Sequence, residues 1–429
     1  MYRLSVILGK FTAWMCRHFG GGHGSALPGL VAEKLYPNFL KEVLYNLPYG
    51  VVLVSGTNGK TTTTKIIVDL LRADGYKVFT NPSGSNFTRG VASAALPLIR
   101  DGQLDADIAV LELDEAYAVK FAQKIHPEYT LCLNVLRDQL DRFGEIDHTA
   151  DLLRQVARNT RRTVILNEDD PRLKKIANDK DVKANVAWFG YNGAAGRFYR
   201  GDEELHGGEK KLVTKPNTDS SIRINDLQDR TAEYQLGKQK AQVKLRLFGI
   251  HNALNCAAAL ATIKEVEADK FNFDQAVEHL GIIKAAFGRG EVLTIGDNEV
   301  QLILVKNPSG FQLSLNSVSS RPTMIAINDD YADGRDVSWL WDVDFNSLSD
   351  TPVSTSGIRG YDMAIRLLYD NVDVDWTDTN LEEACRKFVK ALNGDSGQIF
   401  ATYTAMLKLR DILEKIAADA KSAKGEHDK

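Results

Sequence analysis

Short β-branched runs alternate with helical periods along this chain. "VVLVS" (51–55) is an unbroken run of apolar and small residues, the pattern of a strand buried on both faces. In "TKIIVDLLRADG" (64–75), Ile66, Ile67, Leu70 and Leu71 recur at helical spacing and Gly75 supplies a stop. Further strands are predicted at "DIAVLEL" (107–113), "YTLCLNV" (129–135), "TVILNED" (163–169) and "VAWFG" (186–190), with helical stretches between several of them. The alternation predicts an α/β fold with a mostly parallel sheet covered by helices.

From about 193 to 247 the periodicity fades. The segment is polar, rich in Gly, Lys, Asp and Gln, and reads as an insertion, partly strand and partly loop. "KAAFGRGEVL" (284–293) reads as a hinge. A second α/β block follows, with strands at 300–307 and 323–329, helices near 360–369, 380–392 and 402–418, and a frayed tail after them. The expected domains are an N-terminal segment (1–47) packed on a central nucleotide-binding domain (48–286), and a smaller C-terminal α/β domain (287–429).

Composition narrows the class. A hydrophobic share of 44% and a charged share of 26% describe a soluble globular protein, and 429 residues leave room for two or three domains. A net charge of −4 provides no global basic field for nucleic acid. Cys16, Cys132, Cys256 and Cys385 lie more than a hundred residues apart, which suits a reducing cytoplasm and neither a disulfide framework nor a zinc ribbon. The N-terminus "MYRLSVILGKFTAWMCRHFGGGHG" is apolar but interrupted by Arg3, Lys10, Arg17 and His18, so its apolar stretches are too short to span a bilayer. It is read as a helix docked on its own domain, with an interfacial helix on a membrane surface as the alternative.

The chemistry begins at "VVLVSGTNGKTTTT" (51–64), a Gly-rich turn between a strand and a helix. In Gly56-Thr57-Asn58-Gly59-Lys60-Thr61-Thr62 the glycines let backbone amides approach a phosphate, and the helix N-terminus adds partial positive charge. Lys60 reaches toward terminal phosphates, and the Thr61 hydroxyl is a ligand for Mg²⁺. The spacing Gly-x-x-Gly-Lys-Thr is shorter than the common phosphate loop, since Val54 stands where that loop has its first glycine.

"GTNGKTTT" resembles the ATP signature of the Mur ligase family, the ATP-dependent amide-forming enzymes of peptidoglycan synthesis and their folylpolyglutamate synthase relatives. Other stretches match in order: "LELDEA" (111–116), "NVLRDQLDRFG" (134–144), "LNEDDP" (166–171), "FGIHNALNCAAALA" (248–261) and "FGRGE" (287–291). The resemblance implies that Glu112 binds Mg²⁺, that Asn252 and Asn255 lie near the nucleotide, and that Arg289 contacts ATP phosphate. Gln139 stands where the family has a histidine; a metal-bound water or a plain polar contact are equal readings for it. His251 is read as a helix cap or a buried contact rather than a catalytic group. Asn86, Thr88 and Arg89 are candidates for the muropeptide or diphosphate side of the cleft, and Lys306 and Asn307 for a C-terminal segment over the active site.

More specific stretches, "GGGHGSALPG" (20–29), "SGSNFTRG" (83–90), "DGRDVSWLWD" (333–342), "SGIRGYDMAIRLLY" (356–369) and "TYTAMLKLRDIL" (402–413), are similar to the MurT branch, synthetase subunits of lipid II isoglutaminyl synthase. That likeness implies ATP-dependent amidation of the α-carboxylate of D-glutamate in the lipid II stem, through an acyl phosphate. The ammonia comes from a GatD-like class I glutaminase subunit in a heterodimer at the inner face of the membrane. Relatives usually carry a four-cysteine zinc ribbon in the central domain. Residues 193–247 hold no cysteine, so no structural zinc is expected. Lys60, Glu112 and Asp336 are the expected catalytic residues, with Thr61 and Glu112 as Mg²⁺ ligands. Alternatives are a stand-alone Mur-type or folylpolyglutamate synthase-like ligase, which needs no partner, and a degenerate nucleotide-binding scaffold, against which intact Lys60, Thr61 and Glu112 argue.

"DDYADGRDVSWLWDVDF" (329–345) crowds six aspartates around Trp339 and Trp341. A class I glutaminase needs a carboxylate behind its histidine. The resemblance implies that this chain supplies it, with Asp336 the first choice and Asp342 the second. Gly334 permits the turn. The two tryptophans, two apart, are expected on one side of a strand, filling the core or anchoring the interface. Four of the six acids are read as solvated loop.

Overall fold

A computed structural model describes residues 1–19, 26–81, 88–136, 146–192, 221–228, 230–247, 249–284, 289–317 and 320–427; for residues 19, 289, 290, 317 and 421–427 it describes the backbone alone. The positions expected to matter at Asn86 and Gln139 lie outside the described residues, as does the 193–220 part of the polar segment.

The N-terminal helices are α1 (Tyr2–Phe19), α2 (Leu27–Leu35) and α3 (Phe39–Tyr45). The central strands are β1 (Val51–Ser55), β2 (Val78–Thr80), the short ribbon β3 (Ile99–Arg100) and β4 (Gln103–Leu104), β5 (Ile108–Glu112), β6 (Tyr129–Cys132), β7 (Thr163–Asn167), β8 (Asn185–Tyr191), β9 (Ile222–Gln228), β10 (Thr231–Leu236) and β11 (Gln239–Lys244). Nine of them form one sheet in the order β11-β10-β9-β8-β7-β6-β1-β5-β2. Pairing is parallel from β2 through β9 and antiparallel in the β9–β10–β11 meander. The polar stretch read as an insertion therefore extends the main sheet where it is described. Its strands escape periodicity because β11 is a solvated edge with exposed and half-buried positions throughout.

Strand β1 is buried on both faces, as its unbroken apolar run requires. Val52 and Val54 join the core under α4 (Lys60–Ala73) and the helix Ile250–Glu267; Val51 and Leu53 join the core under α3, α5 (Thr88–Ala95) and α6 (Glu115–Ile125). This is the two-residue alternation of a strand applied to a fully covered sheet.

Six further strands, β12 (Arg289–Ile295), β13 (Asn298–Leu304), β14 (Thr323–Ala326), β15 (Val353–Ser356), β16 (Trp376–Asp378) and β17 (Ser396–Ala401), form a second sheet in the order β12-β13-β17-β14-β15-β16. All its pairings are parallel except β12–β13. Helices Pro308–Ser317, Gly360–Tyr369, Leu381–Leu392 and Tyr403–His427 accompany it. The last helix continues to His427, beyond the end near 418 expected from apolar spacing, on a run of Ala, Lys and Glu that favours helix without needing a packed face.

The two tryptophans do not share the side of a strand. Ser338–Asp342 is a 3₁₀-helix, not a strand, so residues two apart do not share a face. Trp339 is 7% exposed in the core of the second sheet, while Trp341 is 53% exposed and meets Tyr369 edge-on at 5.0 Å.

A candidate nucleotide site and a candidate partner edge

Parallel strands bring their carboxyl ends to one side of a sheet, where loops assemble a site. Here β1, β5 and β6 are adjacent, and the loops after Ser55, Glu112 and Cys132 meet. The turn after β1 depends on Gly56 at φ 127° and Gly59 at φ 91°, both in the region that disfavours side chains. A Cβ on Gly59 would lie 2.5 Å from Asn255 Oδ1. Gly59→Ala is therefore expected to cost on the order of 1 kcal/mol or more in stability and to weaken ATP binding. Thermal unfolding with and without ATP measures both.

The loop is tied down by the chain after β6. Thr57 N donates to Asn134 O at 3.1 Å, and Asn58 N donates to Asn134 Oδ1 at 2.9 Å. Asn134 Nδ2 returns a bond to Asn58 O at 3.0 Å, and Leu136 N donates to Thr57 Oγ1 at 3.1 Å. Lys60, the first residue of α4, is buried. Its amine donates to Gly56 O at 2.7 Å and lies 3.4 Å from Asp114 Oδ1 and 3.6 Å from Glu115 Oε1. A buried ammonium needs such partners, and these two acids hold it across the mouth of the turn.

Next to Lys60, Thr61 Oγ1 donates to Glu112 Oε1 at 2.7 Å. Glu112 ends β5, and Asn81 clamps its backbone: Asn81 Nδ2 donates to Glu112 O at 2.9 Å, and Glu112 N donates to Asn81 Oδ1 at 3.0 Å. The predicted pair Thr61–Glu112 is thus brought together. Among the described residues, no group of three or more His, Cys, Asp or Glu is placed to hold a metal ion. One hydroxyl and one carboxylate are a partial shell of hard oxygens, which suits Mg²⁺ shared with phosphates and water rather than a protein-only cage.

Asn255, the expected nucleotide neighbour, lies against Gly59 and donates through Nδ2 to Asn252 Oδ1 at 3.3 Å, so both asparagines join the site. His251 sits inside the first turn of its helix. Gly249 is the cap residue and makes no side-chain cap bond, so the cap reading of His251 does not hold. Arg289 begins β12, opposite Ile303. Thr88 and Arg89 open α5.

The second sheet reaches the loop through Asn307. Its Nδ2 donates to Asn58 Oδ1 at 3.0 Å, and Asn58 Nδ2 donates to Asn307 Oδ1 at 3.4 Å. Asn307 is fully buried, and its Oδ1 also accepts from Gly310 N at 2.8 Å. Lys306 is half-buried beside it. Asn307→Asp keeps the acceptor for Gly310 but removes the donor to Asn58. The expected outcome is about a tenfold fall in ATP-dependent kcat/KM, the size of one lost buried amide bond, with the fold retained by circular dichroism.

Sequence reasoning missed Asn81, Asp114, Glu115 and Asn134. "LELDEA" held a signal: two acids stand next to the strand-end glutamate, within reach of a lysine in the neighbouring turn. Asn81 and Asn134 follow strands but carry no distinguishing pattern.

At the far end of the second sheet the aspartates divide by contact. Asp329 pairs with Arg359 at 2.7 Å. Asp333 is buried, accepts from Thr404 N at 2.7 Å, and is raised in pKa by burial. Asp344 accepts from Asn346 N at 3.0 Å. Asp329 and Asp333, read as solvated, are therefore fasteners, while Asp330 and Asp344 are exposed as that reading expects. Asp336 is exposed; it accepts from Ser338 N at 2.8 Å, and hydrogen bonds from the Ser338 side chain and backbone hold its carboxyl below the usual range. Asp342 is exposed at the end of the 3₁₀-helix. Arg366 staples that helix: Nε donates to Leu340 O at 3.1 Å, Nη2 to Val343 O at 2.6 Å, and Nη1 to Asp370 at 2.7 Å. Beside it, Tyr361, Ile365, Leu368, Tyr369 and Trp341 form an exposed apolar face.

A phosphate loop at the strand ends of a parallel sheet, closed by a second α/β sheet, defines a Mur ligase-type protein. Residues 54–263 match the Mur ligase middle domain, and residues 304–406 match the MurT ligase C-terminal domain. The chain belongs to the MurT family. It is 31% identical over 448 residues to the lipid II isoglutaminyl synthase (glutamine-hydrolyzing) subunit MurT of Streptococcus pneumoniae, covering 96% of each chain. It is 28% identical to the subunit of the same name from Staphylococcus aureus, covering 82% of this chain and 85% of that one. Among solved structures, MurF ligase from Thermotoga maritima in complex with ADP superposes with a TM-score of 0.67 at 17% identity, covering 90% of this chain and 84% of that one. Among the described residues, no helix is long and apolar enough to cross a membrane.

Proposed function

We propose that this chain is the amide-forming subunit of a lipid II isoglutaminyl synthase. The observation that carries the reading is the joined site: Lys60, Thr61 and Glu112 at the loop of one sheet, bonded through Asn58 to Asn307 of the other. In this reading an oxygen of the D-glutamate α-carboxylate attacks the γ-phosphorus of ATP and ADP leaves. The acyl phosphate then takes the nitrogen of ammonia at its carbonyl carbon, and phosphate leaves as the amide forms. Two anions must be brought together, and Lys60 and Arg289 offset that charge. Mg²⁺, held by Thr61 and Glu112, would add charge neutralisation on the phosphates. Asn252 and Asn255 position the nucleotide against Gly59, and Thr88 and Arg89, at the start of α5, are the candidates for the muropeptide side.

The ammonia source is a GatD-like class I glutaminase bound at the Asp336 edge. Three features support that placement: Asp336 is exposed and stays ionised, Arg366 makes its support rigid, and the apolar face around Trp341 and Tyr369 has the aromatic character of an interface. Trp341→Asp is expected to weaken subunit association about tenfold or more while leaving ammonium-driven turnover intact, as read by titration calorimetry and by turnover with ammonium. Unchanged association would move the interface elsewhere. The reading as a whole is tested by amidation of lipid II with ATP and ammonium.

A further inference from the structure

Helix α1 carries its apolar residues on the outside. Its inner face is fixed to the central domain by buried Ser5 and Val6, and by Gly9, where a Cβ would stand 2.8 Å from Leu96. On the outer face Leu4, Ile7, Leu8, Phe11, Trp14 and Met15 recur at intervals of three and four and are 48%, 62%, 37%, 54%, 46% and 43% exposed. That spacing gathers them into one stripe along a helix about 27 Å long. A water-facing surface helix shows the opposite arrangement, and a continuous exposed apolar patch marks a docking surface.

Charge identifies the occupant. Tyr2–Phe19 contains no aspartate or glutamate. Arg3, Lys10 and Arg17 recur every seven residues, so they line one edge of the stripe. The Lys10 ammonium donates to Ile99 O at 2.6 Å and is tied back to the central domain, which leaves Arg3 and Arg17 as the exposed cations of that edge, and His18 contacts Trp14 at the far end. Against a second copy of this helix the cations would meet no acid. Against a bilayer of anionic lipids they meet headgroups, while Phe11 and Trp14, their rings stacked 6.0 Å apart, enter the interfacial zone that aromatics favour.

We propose that the outward face of α1 docks on an anionic lipid surface, with the helix lying in the membrane interface. The orientation is functional only on the reading of a lipid-linked substrate; the docking itself does not need it. The path from α1 to the cleft is short and rigid. α1 packs on α2, where Gly29 N donates to Ser93 Oγ at 2.8 Å and Gly29 lies so close that a Cβ would stand 2.1 Å from Arg89 O. A bilayer under α1 therefore lies beside the helix that opens with Thr88 and Arg89.

The test sediments the full chain with vesicles of equimolar phosphatidylglycerol and phosphatidylcholine, and with phosphatidylcholine alone, without ATP or lipid II. The expected result is binding to the anionic vesicles about tenfold or more tighter than to the neutral ones. Phe11→Asp with Trp14→Asp lowers that binding about tenfold or more without moving the melting temperature, and Arg3→Glu with Arg17→Glu removes the preference for anionic lipid. No vesicle binding, or binding that Phe11→Asp with Trp14→Asp leaves intact, overturns the proposal. So does a dimer in light scattering that the same pair dissolves, because the face would then join two copies. These readings are independent of amidation. Turnover separates the two proposals: the Phe11 and Trp14 variant should slow on lipid II in vesicles and keep its rate on a water-soluble muropeptide.

Discussion

Asp336→Asn is expected to abolish glutamine-driven turnover and to leave ammonium-driven turnover unchanged. The substitution preserves shape, and an asparagine oxygen still accepts the bond from Ser338 N that holds the residue now. What disappears is the negative charge proposed to orient and stabilise a histidine on the partner. In triads of this kind, loss of the carboxylate costs on the order of 10³–10⁴ in rate. The proposed ATP site lies at the other sheet and should not register the change. Steady-state rates with glutamine and with ammonium, on the assembled pair, read both halves. Asp342→Asn is the companion measurement, since Asp342 is also exposed on the stapled segment. If the loss follows Asp342 instead, the partner's histidine is met there. Hydrogen bonds from Ser338 lower the Asp336 pKa, so it is ionised across the neutral range and adds no acidic limb to the profile near neutrality.

Lys60→Met is expected to remove turnover with either nitrogen source, by about 10³-fold or more, the scale set by losing a cation aimed at a transferring phosphoryl group. The same substitution leaves Asp114 and Glu115, both mostly buried beside the amine, without their cation. That cost is up to about 3–5 kcal/mol, so a fall in activity alone is ambiguous. Adding Asp114→Asn and Glu115→Gln removes the uncompensated charge. The expected outcome is a melting temperature restored toward that of the native chain with turnover still absent. Recovery of turnover along with stability would mean that Lys60 matters for the fold and not for phosphoryl transfer.

Much of this arrangement was legible in the residues. β1 was readable to its ends because a doubly covered strand is apolar without alternation, and the glycines of the turn follow from the positive φ that it needs. The pairing of Thr61 with Glu112 was readable from the family resemblance of "LELDEA", and the adjacency of β1 and β5 in the sheet brings the two side chains together. The meander β9–β11 was not, since an antiparallel edge in solvent can be built from Lys, Gln and Glu. Nor was the 3₁₀-helix at Ser338–Asp342: spacing of two suggests a strand, and only the Arg366 staple and the packing of Trp339 select otherwise. The Asn58–Asn307 bond spans 249 residues; no local pattern announces it, and only the family resemblance put Asn307 over the active site. Inverted amphipathicity in α1 was hidden for a related reason. Periodicity shows that a helix has an apolar face, and only the packed structure shows which face is already covered.

The most direct measurement is formation of amidated lipid II from lipid II, ATP and ammonium by this chain without its partner, followed by mass spectrometry of the peptide stem. The account predicts ATP-dependent loss of one acidic group as the glutamate α-carboxylate becomes an amide, with ADP and phosphate released in equal amounts. Addition of glutamine alone should do nothing until a glutaminase subunit is supplied. ATP-dependent attachment of a free amino acid, or no amidation at any ammonium concentration by a folded, ATP-binding chain, would contradict it.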